Sequence, residues 1–262
     1  MTQLTPFLPH LCTTLQHRPY VFIFLAFFLI FGILQLGFIR TLLFLLIGWV
    51  VAFSSEASSI RNTFPYGDYQ YVYENLKGEL LLFGVPLWDS LSYTFLAYAS
   101  YATALLLLSA SSLKLRSSGK TLFLSTLLMM GIDVIIDPVA ALGERWFLGK
   151  VYYYPHGGIY FGVPLSNFAG WALVAFVIVF LFQRLDIFLN QQGYCLSENR
   201  WKGLKPWLGT FLYLGVFFFN WGITLWLKEW KLAAVDILLF LPLFIILIRS
   251  SLNQLSSRKI MN

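Results

Sequence analysis

YVFIFLAFFLIFGILQLGF, residues 20–38, runs for nineteen positions without a charged side chain. At 1.5 Å of rise per residue it is about 29 Å long as a helix, close to the thickness of a bilayer's hydrocarbon core. It is too long for the core of a signal peptide and reads as a retained first span. Apolar runs of similar length recur along the chain. They predict seven spans, at about 20–38, 41–55, 87–110, 121–142, 164–184, 207–226 and 232–250. The whole chain agrees: 58% of its 262 residues are hydrophobic and 11% are charged, against roughly 25% charged in soluble domains. A transmembrane β-barrel would alternate over segments of about ten residues, whereas these runs are continuous. The expected fold is all-α, a polytopic transmembrane helical bundle forming a single membrane domain over 1–262.

Seven spans put the N-terminus and three of the loops on one side of the membrane. That side carries seven of the 18 Lys and Arg residues and the other side carries eleven, so the positive-inside rule makes the second side cytoplasmic. The basic residues are scattered along loops. The net charge of +6 therefore speaks for a lipid surface and not for nucleic acid. Cys12 and Cys195 form no Cys-x-x-Cys pair, and the only histidines are His10, His17 and His156. No metal or redox motif stands out. Ten of the twelve acidic residues fall on the first side or in helix ends near it: Glu56, Asp68, Glu74, Glu79, Asp89, Asp133, Asp137, Glu144, Glu229 and Asp236. Topology does not constrain acids in this way, so the clustering predicts a site on that side.

An internal repeat points to the same place. FGVPLWDSLSY at 83–93 returns as FGVPLSNFAGW at 161–171, 78 residues later. Glu56 stands 27 residues before Phe83, and Asp133 stands 28 before Phe161. Each copy runs from an acid at a helix end through a loop rich in Tyr, Gly and Pro to Phe-Gly-Val-Pro-Leu and a new helix. The units, at about 41–110 and 121–185, run in the same direction and make a parallel repeat. Their loops, at about 61–82 and 145–160, then cover one shared cavity. Pro is expected in the first helical turn, where its missing N–H is not needed.

GIDVIIDPVAALGERW, residues 131–146, holds the strongest chemical candidates. Asp133 and Asp137 are four apart and share a helix face, and Glu144 would continue that stripe. Pro138 removes a backbone N–H just after Asp137. Carboxyls inside a span are costly and point to function. Two such groups close together in an apolar wall keep a proton available for general-acid work. The alternative is structural, with an Asp capping a broken helix or pairing with Arg145. Glu56 is placed to face the Asp pair across the cavity, or to pair with Arg61. Asn167 is an amide in the first turn of its span, able to orient a carboxyl or hold a water. Tyr69, Tyr71, Tyr154 and Tyr160 are candidates to line the cavity, although tyrosine also serves as an interfacial anchor. His156 reads as a loop histidine.

FPYGDYQY, IDPVA and above all GGIYFGVPLSNFAGW resemble the membrane carotenoid-biosynthesis proteins of the carotenoid 1,2-hydratase type, the gamma-carotene and bisanhydrobacterioruberin hydratases. The resemblance runs from about Glu56 to Trp171 and fades after about 185. It implies a cofactor-independent hydro-lyase of the cell inner membrane that adds water across the terminal C=C of an acyclic carotenoid or other isoprenoid. Other enzymes of the carotenoid pathway are the partners it implies. Asp137, Asp133 and Glu56 would be catalytic. Asn167, Tyr69, Tyr71, Tyr160, Trp171 and Glu144 would line the substrate. Protonating a trisubstituted alkene at its less substituted carbon gives a tertiary cation, which water traps as a tertiary alcohol. Such chemistry needs a positioned acid, a second carboxylate to steady the cation and direct the water, and aromatic faces. An isoprenoid cyclase or isomerase would use the same cation without water. A membrane transporter would use intramembrane carboxylates to bind a cation.

Overall fold

The chain was described from a computed structural model, covering residues 7–146 and 148–260. In chain order the elements are α1 (Phe7–His17), α2 (Pro19–Leu36), α3 (Phe38–Asn62), β1 (Gln70–Tyr71), β2 (Leu81–Leu82), β3 (Val85–Pro86), α4 (Leu87–Leu107), α5 (Leu113–Arg116), α6 (Gly119–Ala140), β4 (Tyr152–Tyr153), α7 (Leu165–Gln191), α8 (Leu208–Trp226) and α9 (Trp230–Ile260). The protein is an all-α polytopic bundle. Among the described residues six helices, α2, α3, α6, α7, α8 and α9, are long and apolar enough to cross a membrane.

A seventh long helix, α4, has 21 residues and is about 32 Å long. Its Ser, Thr and Tyr residues keep it from having a stretch as apolar as those of the other six. It tolerates them because it is the central helix: every side chain from Tyr93 to Leu106 is buried. Lipid tails supply no hydrophobic drive between helices, so close packing through small residues holds such a bundle together. Ala97, Ala99, Ser100, Ala102, Thr103 and Ala104 let the neighbours approach α4. α3, α4, α6 and α7 form a ring in which each packs against the next, while α2 and α8 cover α4 from outside and α9 covers α8.

α3 runs to Asn62, well past the end near residue 55 that hydropathy predicts. Its polar last turns stay helical because they face protein. Ser55 Oγ lies 2.8 Å from Tyr66 Oη, and Ser59 Oγ accepts from the Tyr66 backbone N–H at 3.1 Å.

The repeated word has a single structural meaning. Phe83 and Gly84 have φ of 49° and 88°, and Phe161 and Gly162 have φ of 47° and 88°. Two successive positive φ values make the two-residue turn that matches strand twist, and glycine bears the second without steric cost. In the first copy the turn joins β2 to β3, with Leu82 opposite Val85. In the second it closes a bridge between Tyr160 and Val163. The prolines sit one residue earlier than expected. Pro86 and Pro164 are the N-caps, and α4 and α7 start at the leucines that follow.

The two long loops meet. β1 pairs antiparallel with β4, Gln70 opposite Tyr153 and Tyr71 opposite Tyr152. The Val72 N–H donates to Val151 O at 2.8 Å, and Tyr153 Oη donates to Gln70 Oε1 at 2.9 Å. Gly170 lets the first loop seat on α7, since a Cβ there would lie 2.6 Å from the Tyr66 ring and 2.8 Å from Pro65 O. The junction of α1 and α2 clamps the same end. Arg18 donates Nε and Nη2 to the buried Glu79 carboxylate, which also accepts Trp88 Nε1 at 2.7 Å.

Candidate active site

Under the paired loops lies a cavity of about 860 Å³, mouth included. Its loop end is polar, with Glu56, Asp89, Asp137 and Asn167. The rest is mainly aromatic and aliphatic, with Tyr20, Phe24, Phe95 and Phe219 on the α2, α4 and α8 walls, and Ser92 and Asn220 as further polar groups.

The polar end is two half-sites. In the first, α3 presents Glu56, whose Oε1 accepts Tyr93 Oη at 2.7 Å. Its Oε2 accepts the Tyr69 hydroxyl. The single Tyr71 hydroxyl proton lies between Glu56 Oε2 and Asp89 Oδ2, the latter in the first turn of α4. In the second, α6 presents Asp137. Its Oδ1 accepts Tyr152 Oη at 2.7 Å, and its Oδ2 accepts Tyr154 Oη and Asn167 Nδ2, each at 2.6 Å. The same Asn167 amide donates to Asp133 Oδ2 at 2.9 Å, while Asp133 Oδ1 is buried without a hydrogen bond.

Local structure explains the grouping. Asp133 and Asp137 are one helical turn apart. Side chains two apart on an extended segment share a face, so Tyr69 with Tyr71 and Tyr152 with Tyr154 reach the same carboxyl group. The β1–β4 pairing brings the two tyrosine pairs together, with the Tyr69 ring 6.1 Å from Tyr152 and 6.5 Å from Tyr154. Burial pushes all four phenols well above the usual tyrosine range, and the neighbouring carboxylates push them further. They therefore stay protonated and act as donors. Tyr93 and Trp171, at equivalent places in the two copies, stack on each other at 4.2 Å with ring planes 16° apart.

Of the residues singled out from sequence, Glu56, Asp137, Asn167, Tyr69, Tyr154 and Trp171 line the cavity. Asp133 and Tyr71 stand directly behind them as hydrogen-bonding partners. Two lie elsewhere. α6 ends at Ala140, and Gly143 at φ 65° starts a short 3₁₀ turn, so Glu144 leaves the Asp133–Asp137 stripe and is exposed. Tyr160 packs edge-on against Phe161 and Phe168, away from the cavity lining. Its phenol is pushed up to about 12 by burial and by Asp236. Arg145 pairs with Glu229 at 2.6 Å, Arg61 donates to backbone carbonyls, and His156 is exposed beside Asp68.

Sequence reasoning missed Asp89, Tyr93 and Tyr152 as site residues. The 78-residue offset could have found two of them, because it maps Asp89 onto Asn167 and Tyr93 onto Trp171. Among the described residues no three His, Cys, Asp or Glu side chains converge as metal ligands would.

The sequence model of a family described as "Carotenoid biosynthesis protein" matches residues 18–243. Among curated proteins, the bisanhydrobacterioruberin hydratase of Haloarcula japonica is 32% identical over 173 residues. That alignment takes in 64% of this chain and 55% of the relative, so the chain spans little more than half of that protein's length. No solved structure matches.

Proposed function

The chain belongs to the carotenoid biosynthesis protein family, and from that premise we propose that it is a cofactor-independent hydratase of acyclic carotenoid or isoprenoid end groups. The observation that carries this is the cavity itself. It is an aromatic, apolar pocket in a membrane bundle, ended by two carboxyl-bearing half-sites that tyrosines hold in place. Such a pocket suits an apolar chain inserted end-on, with its terminal alkene brought against the acids.

In the proposed mechanism the Asp133–Asp137 pair carries one proton, because two carboxyls this close do not both ionise. Asp137 faces the cavity and gives that proton to the less substituted alkene carbon. The π electrons form the new C–H bond, and a tertiary cation remains. Tyr152, Tyr154 and Asn167 then stabilise the carboxylate left behind through three charge-assisted hydrogen bonds. The Glu56 carboxylate and the stacked Tyr93–Trp171 faces steady the cation. A water's lone pair closes the C–O bond, and the oxonium gives up its extra proton. No electrons are gained or lost, so the reaction calls for no nicotinamide or flavin. We place the protein in the cell inner membrane, with the paired loops on the non-cytoplasmic side and neighbouring enzymes of the same pathway handing over its apolar substrate.

Expression in a lycopene-producing host, followed by mass analysis of the pigments, tests this. The expected product is heavier by one or two waters. A product of altered chromatographic behaviour and unchanged mass would instead establish a cyclase or isomerase.

A further inference from the structure

We propose that Asp89 is the catalytic base of this reaction, the group that takes the proton from the attacking water; the assignment rests on the hydratase reading above. The other carboxyls of the two half-sites carry a donor on both oxygens or are screened from the cavity. Glu56 accepts Tyr93 on Oε1 and Tyr69 on Oε2, and its Oε2 competes with Asp89 for the single Tyr71 proton. Asp137 accepts three donors. Asp133 is buried behind Asp137 and does not line the cavity. Asp89 lines the cavity and has one donor among the described residues, Tyr71 on Oδ2. Its Oδ1 accepts none of the described hydrogen bonds and is not among the buried orphaned atoms, so that oxygen is left to the cavity. A carboxylate oxygen needs to be free on the pocket side if it is to accept a proton from water.

The repeat explains how the two copies came to differ. Asp89 and Asn167 hold the same place, six residues after the Phe of the repeated word. In the second copy that position is an amide, spent on holding Asp133 and Asp137. In the first copy it is an acid, and the clamping of Glu56 falls to Tyr69, Tyr71 and Tyr93 instead. One half-site is thus built to give a proton and the other to receive one. Protons balance over a cycle: Asp137 loses one to carbon, Asp89 gains one from the oxonium, and the excess passes back to the Asp pair through solvent in the cavity.

The test separates protonation from capture. The full-length protein in vesicles is given lycopene in D₂O, and both deuterium at the alkene ends and added water are measured by mass. Wild type is expected to do both. Asp89→Asn should still make the cation, which without a base for the water loses a neighbouring C–H proton to the Asp137 carboxylate and returns to alkene that keeps the added deuterium, while hydration falls about 10²–10⁴-fold. Asp137→Asn should lose both signals. Asp89→Glu returns a carboxylate to the cavity and should recover part of the hydration. If Asp89→Asn does not reach the membrane, Asp89→Ser, which is smaller and still polar, takes its place. Hydration by the Asn or Ser variant at the wild-type rate overturns the proposal. Loss of deuterium uptake together with hydration also overturns it, because Asp89 would then act in the protonation step. A wild-type chain that adds neither deuterium nor water overturns the hydratase itself.

Discussion

The two ends of the bundle bury charge in opposite ways. At the end away from the long loops, Asp186 of α7 sits between two guanidiniums. Arg40 Nε of α3 is 2.7 Å from Oδ1 and Arg116 Nε of α5 is 3.2 Å from Oδ2. Arg40 Nη2 also donates to Tyr194 O and Arg116 Nη1 to Ser111 O, at 2.7 Å each. At the loop end, α3 and α7 supply Glu56 and Asn167 to the same cavity. There four carboxyls gather, and among the described residues none of them pairs with a Lys or Arg. Phenols and one amide serve instead. The first arrangement satisfies charge with charge and fixes three helix ends relative to one another. The second leaves carboxyls in an apolar pocket with neutral partners only, which preserves their ability to hold or release a proton. The same helices therefore carry a lock at one end and a reactive group at the other, and the chemistry of the partner decides which is which.

Three measurements would break or sharpen this contrast. The largest effect is expected at Asp137. Asn keeps the size and most of the hydrogen bonding but has no proton to give, so hydration should fall about 10²–10⁴-fold while the melting temperature stays near wild type. An Asp137→Asn protein with near-normal activity would reduce the loop end to a second lock. Next comes Asp186→Asn, which leaves two buried guanidiniums with no counter-charge. Losing one partner of a buried pair costs about 3–5 kcal/mol, read as a large drop in thermal stability in detergent. The protein that remains folded should turn over normally. If activity per folded molecule fell as well, the two ends would be coupled and the division into lock and site would fail. The smallest effect belongs to Glu144→Gln. That side chain is exposed and away from the cavity lining, so activity and stability should both stay within about 0.5 kcal/mol of wild type. A large loss there would put the substrate path across the 3₁₀ turn after α6.

Much of this was legible in the sequence. Length and hydropathy locate the long helices, because spanning a bilayer imposes a length and an apolar composition on each segment independently. The repeated Phe-Gly-Val-Pro-Leu marks two like turns into two helices. The spacing of Asp133 and Asp137 puts both on one face, because helical geometry is local. Other features were beyond its reach. α3 outlasts its apolar run because Ser55 and Ser59 find partners in the folded loop. Glu144 leaves the stripe because a helix end is set by tertiary contacts as well as by spacing.

By itself, then, the amino-acid sequence determined the class of fold, the number of long helices and the side on which the acids gather. All of these follow from forces acting within one segment, namely transfer into lipid, helical rise and turn sterics. Only the tertiary structure decided which tyrosine holds which carboxyl, that Tyr93 stacks on Trp171, and that Asp89 keeps an oxygen toward the cavity. Those facts depend on the register of β1 against β4 and on the packing of α4 inside its ring. The first arises from contacts between residues some eighty positions apart and the second from contacts between separate helices, and no local pattern encodes either.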